Sequence, residues 1–143
     1  MAVLPEVREE EAPPEVAAIY AGLREAVGVP IVNLIWRHFA TLPGVLPWAW
    51  GTARGAIGSA TVAEGAERMA ALARAAPGLD LSAAGRAFRA LPAEERARVA
   101  DVVRVYNRGN SVNLQVLSAV RRCVSSGAPT GGAPPRAGGA SLA

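Results

Sequence analysis

The chain has 143 residues, the size of one domain, and a chain of this length can bury roughly two-thirds of its unfolded surface. Its formal charge of +3 rests on fifteen arginines and no lysine, interleaved with twelve acidic residues; without a basic block the pattern argues against a nucleic-acid partner. The single cysteine, Cys123, rules out an internal disulfide, and the single histidine, His38, leaves no pair of histidines for a metal.

Residues 1–12 read as an acidic, poorly ordered arm. Glutamates take the place of the apolar run that a signal peptide needs. Pro13 and Pro14 open a helix whose Val16, Ile19, Tyr20 and Leu23 share one face, and Gly28 ends it. The next stretch, VPIVNLIWRHFATLPGVLPWAW over 29–50, holds all three tryptophans and the histidine. It predicts a central helix over 31–42, apolar almost all round and therefore buried, stopping before Pro43. Buried polar groups need partners, so Asn33, Arg37 and His38 are the first functional candidates. Arg37 can fork onto a substrate carboxylate or pair a glutamate of the first helix. His38, with no second catalytic residue beside it in sequence, fits a satisfied, partly buried histidine better than a catalyst.

A further helix runs from Val45 through Ile57. Its row of Gly51, Gly55 and Gly58 is expected to admit a close helix crossing. Thr61–Ala75 is helical by propensity, with Val62, Met69 and Leu72 as core points. Ser82 caps a short helix to Phe88. Pro92 opens another, with Val99, Val102, Val103 and Tyr106 on one apolar face. Residues 107–111 interrupt it, and a last helix over 112–123 uses Leu114, Leu117 and Val120. From 125 to 143 the composition is Gly, Pro, Ala and Ser, which predicts disorder. No stretch alternates with period two, so the fold class is all-α: about six helices in one domain over 13–124.

The longest charge-free central stretch is too short and too broken by Pro and Gly to cross a bilayer. No nucleophile elbow, phosphate loop or CxxC is present, and no cofactor is expected. Cys123 reads as a small buried apolar residue, and one reduced cysteine fits a cytoplasmic protein. Asp80 and Asp101 are expected at the surface, poor places for a base. Asn107, Asn110 and Asn113 are open to two readings: helix capping, or orienting a water or carboxylate beside helix N–H groups.

The run LREAVGVPIVNLIWRHFATLPGVLPWAW, followed by VRVYNRGNSVNLQVLSAV, resembles the DehI-type 2-haloacid dehalogenase family. The matching pieces are Leu23-Arg24, Val29-Pro30, Arg37, Ala40-Thr41, Pro43-Gly44, Leu46-Pro47, Ala49-Trp50, Tyr106-Asn107 and Gly109-Asn110. They span about 13–120. Members of that family consist of two similar helical halves with the active site between them, and this chain resembles one half. The resemblance therefore implies a homodimer. It also implies hydrolysis of the carbon–halide bond of 2-halocarboxylic acids by direct attack of water. An asparagine holding that water maps to Asn110, with Asn107 as second choice. The family's aspartate base falls within Asn33–Ile35, where this chain has no carboxylate, so His38 or a glutamate is expected to act as base. Asn33, Trp36, Arg37 and Asn107 are the expected substrate-binding residues. The alternative is a non-catalytic helical dimer that binds a small carboxylic acid.

Overall fold

A computed structural model describes residues 4–75 and 80–126. Among the described residues six α-helices and one 3-10 turn (Glu9–Glu11) follow one another without a strand, in the all-α class that the missing period-two pattern predicts. The helices are α1 (Pro14–Val27), α2 (Leu34–Phe39), α3 (Val45–Ile57), α4 (Ala60–Ala75), α5 (Ser82–Ala90) and α6 (Ala93–Ser126).

Local chemistry sets the ends of α1. Pro14 occupies its first turn, and Gly28 closes it at φ 73°, with its N–H donating to the Arg24 carbonyl. The core forms where α1, α2, α3 and the C-terminal half of α6 meet. Tyr20, Leu23 and Val27 pack there with Val32, Trp36, Leu46, Ala49, Ala53, Ile57, Val112 and Val116. Trp36 meets Phe39 edge-on, ring centroids 5.8 Å apart. α4 lies along α6.

Several expectations need correction. The central helix is shorter than 31–42: Asn33 stays extended (φ −61°, ψ 146°), and the chain after Phe39 tightens into turns from His38 and Phe39 carbonyls. The described part of the acidic arm is docked. Val7 N donates to the Arg37 carbonyl, Tyr20 Oη to the Val7 carbonyl at 2.9 Å, and Val32 N to Glu9 Oε1 at 2.8 Å. No break occurs at 107–111; α6 runs through it for 34 residues, about 51 Å. A mid-helix glycine costs only about 1 kcal/mol, and here Asn113 Nδ2 donates to the Gly109 carbonyl at 2.8 Å.

The Gly51, Gly55 and Gly58 row faces open space. The close approaches are elsewhere: a Cβ on Gly22 would stand 2.8 Å from Trp50 Cζ2, and one on Gly109 would stand 3.1 Å from Asn33 Oδ1. Leu72 and Leu114, expected in the core, are exposed, as are Val99, Val102, Val103 and Tyr106. Cys123 is free and half-buried. At the start of α5 it is Asp80 that accepts, from Ser82 N at 2.9 Å. These hydrogen bonds from Ser82 hold the Asp80 carboxyl below its ordinary range. The expectation of a disordered tail lies, from residue 127 on, outside the described residues.

Candidate functional site

Two segments far apart in sequence meet where α2 begins beside the middle of α6. Asn33 precedes the first residue of α2, yet its side chain makes no capping bond there. Its Nδ2 donates instead to Asn110 Oδ1 at 2.9 Å. Gly109, lacking a side chain, leaves the room that Asn33 fills. One residue pair deeper, Trp36 Nε1 donates to Asn113 Oδ1 at 2.6 Å. Trp36 and Asn113 are buried, Asn33 is half-buried and Asn110 is exposed. The outer amide pair thus faces solvent, held in place by a buried pair beneath it.

This arrangement has a definite chemical capacity. An amide carries one acceptor oxygen and two N–H donors. The bond between them leaves Asn33 Oδ1 as an acceptor and Asn110 Nδ2 as a donor. Together they can hold one water or one carboxylic group. Neither amide titrates, so the pair orients but does not take a proton.

The other candidates lie around it. Trp36, expected to touch substrate, is sealed in the core at 1% exposure with its N–H already given to Asn113, so it anchors α2 on α6. Arg37 Nη1 lies 3.1 Å from Glu6 Oε2, which resolves its partner as a glutamate of the arm and not of the first helix. His38 Nδ1 lies 2.8 Å from the Pro5 carbonyl. A carbonyl only accepts, so Nδ1 donates and the neutral ring keeps its lone pair on Nε2. Asn107 lies apart from the amide pair. It lines an open groove of about 1240 Å3 between α4 and α6, along with Glu64, Glu67, Arg68, Phe88 and Val103.

Among the described residues no carboxylate bonds to Asn33 or Asn110. Glu9 comes nearest along the chain, at Val32 N, but its second oxygen pairs with Arg24. The Tyr20 phenol beside this arm has its pKa raised. Burial is the main cause, opposed by Arg37 and reinforced by Glu9 and Glu6. No group of three or more His, Cys, Asp or Glu among the described residues is arranged to hold a metal, and no helix among them is long and apolar enough to cross a membrane.

Sequence reasoning left Asn113, one turn beyond Asn110, between helix capping and orienting a water or carboxylate, and did not join it to Trp36. Its bond to Trp36 has no local signature beyond that spacing. Glu9 was hidden by its setting in an arm expected to be disordered. Comparison with known proteins finds no match among family models, curated proteins or solved structures.

Proposed function

We propose that this protein is a DehI-like hydrolase of 2-halocarboxylic acids, working as a homodimer, in which Asn110 with Asn33 orients the attacking water. The observation that carries the reading is the 2.9 Å bond between the two amides. It joins the segment after Val29-Pro30 to the Tyr-Asn-Arg-Gly-Asn motif, the two pieces to which the resemblance assigns the chemistry. In the reaction the water oxygen bonds to C2, the halide leaves with the carbon–halide electron pair, and a base takes the water proton. His38 offers Nε2 for that step, and a glutamate is the other choice.

The second reading, a non-catalytic dimer that binds a small carboxylic acid, draws on one observation. Both ionisable groups flanking the site on α2, Arg37 and His38, are engaged by the arm. Halide release from 2-chloropropionate by the purified protein separates the two. Turnover that falls about a hundredfold in Asn110→Ala supports the hydrolase. Absence of release across neutral to mildly alkaline pH, with a calorimetric binding signal that Asn110→Ala removes, supports the binding protein.

A further inference from the structure

The N-terminal half of α6 carries an apolar stripe that its own subunit leaves uncovered. Val99, Val102, Val103 and Tyr106 are 41%, 56%, 50% and 53% exposed. They fall at i, i+3, i+4 and i+7 and so share one helix face. Glu95 lies on the same face four residues before Val99, and Asn110 four residues after Tyr106; both are exposed.

The stripe is symmetric about the midpoint between Val102 and Val103. Two antiparallel copies of α6 related by a twofold axis there set each residue against its mirror position, as an isologous contact requires. Val102 meets the partner's Val103, and Val99 meets the partner's Tyr106. At each end Glu95 meets the partner's Asn110, an acceptor carboxylate against an amide N–H donor. A shift of one turn one way sets Glu95 against the partner's Tyr106, and the other way against the partner's Leu114. The shift toward Leu114 leaves a carboxylate over an apolar side chain, and the shift toward Tyr106, whose phenol can donate, sets Val103 against the partner's Arg98. Register is therefore chosen by the polar ends together with the valines at the centre. The C-terminal stretch 127–143 is poorly suited to cover it, with Leu142 as its one large apolar side chain.

We propose that two copies of this chain pair antiparallel through the α6 stripe, and that each supplies Glu95 to the other's Asn33–Asn110 pair. The catalytic part of this rests on the hydrolase reading above. Glu95 then occupies the place of the missing base: its carboxylate takes the proton of the water that the amides hold, the water oxygen bonds to C2, and the halide departs with the bonding electrons. Along α6, Glu95 and Asn110 are about 22 Å apart, so the dimer carries two separate sites, one at each end of the contact.

The surface is tested on the full chain by sedimentation equilibrium. Wild type is expected to be a dimer, and Val103→Glu, which places two carboxylates beside the axis, a monomer with unchanged helical circular dichroism. A dimer that survives Val103→Glu overturns this surface but not dimerisation; a wild-type monomer overturns both. Register is read without activity. In Cys123→Ser chains, a mixture of Glu95→Cys and Asn110→Cys is expected to give a disulfide-linked heterodimer under oxidation, and its absence overturns the antiparallel pairing. The role of Glu95 is read by complementation. Glu95→Gln and Asn110→Ala are each expected to be dimeric and inactive in halide release. Mixed, they regain about a quarter of wild-type release, since half the dimers are mixed and each holds one intact site. A mixture that stays inactive while wild type turns over overturns the carboxylate supplied in trans.

Discussion

Trp36 and Asn113 are bonded inside the core, indole N–H to amide oxygen at 2.6 Å, across 77 positions of sequence. This bond fixes the height of α2 on α6 and hence the distance at which Asn33 meets Asn110. Asn113→Ala strands the indole donor without water to replace its acceptor. The expected cost is about 1–3 kcal/mol, read as a lower urea midpoint at unchanged slope. Asn113→Asp, which keeps an acceptor oxygen, is expected to preserve the bond to Trp36 but lose the one to the Gly109 carbonyl.

Gly22→Ala tests the packing of α1 on α3. The new methyl would stand 2.8 Å from the ring of half-buried Trp50, which must give way. A loss of roughly 1–3 kcal/mol is expected, together with a shift in tryptophan emission as Trp50 turns outward.

Tyr20 makes stability fall at alkaline pH. Its folded-state pKa is raised above the ordinary 10.0, chiefly by burial. The native state thus holds the phenolic proton more tightly than the unfolded chain. The resulting stabilisation is complete below pH 10 and is lost as pH rises through the raised value. Tyr20→Phe should flatten the alkaline limb of a thermal-stability profile. At neutral pH it costs roughly 1 kcal/mol for the lost bond to the Val7 carbonyl.

Glu9 pins the arm through Val32 N and Arg24. Glu9→Ala removes both contacts, for an expected loss of about 1–2 kcal/mol at these half-buried positions. The clearer readout is local. Trypsin should cut after exposed Arg8 faster in Glu9→Ala than in wild type, while the helical core stays intact.

The parts of the fold governed by local chemistry were legible in the sequence. Pro14 and Gly28 bound α1 as their backbone preferences require. The lack of period-two alternation gave the all-α class. Periodicity could not tell which stripes are covered. Val112 and Val116 are buried while Val99, Val102 and Val103, equally regular, are exposed; the pattern records a face, not what packs on it. The run at 107–111 carries the residues of a helix break, yet α6 continues because tertiary contacts at Gly109 and Asn113 outweigh propensity. Of the site, Asn33 and Asn110 were singled out as residue types, but their meeting is non-local and only the fold supplies it. The engagement of Arg37 and His38 could not be read at all, since their partners, Glu6 and Pro5, lie in a segment whose composition argues for disorder.

That segment has a practical bearing. Pro5, Glu6, Val7 and Glu9 are stitched to His38, Arg37 and Val32, so anything fused ahead of Leu4 emerges beside His38 in the last turn of α2. An affinity handle placed there would crowd His38 and pull on the docked arm, and a purification strategy that leaves this end bare is the safer one for every assay of ligand or turnover.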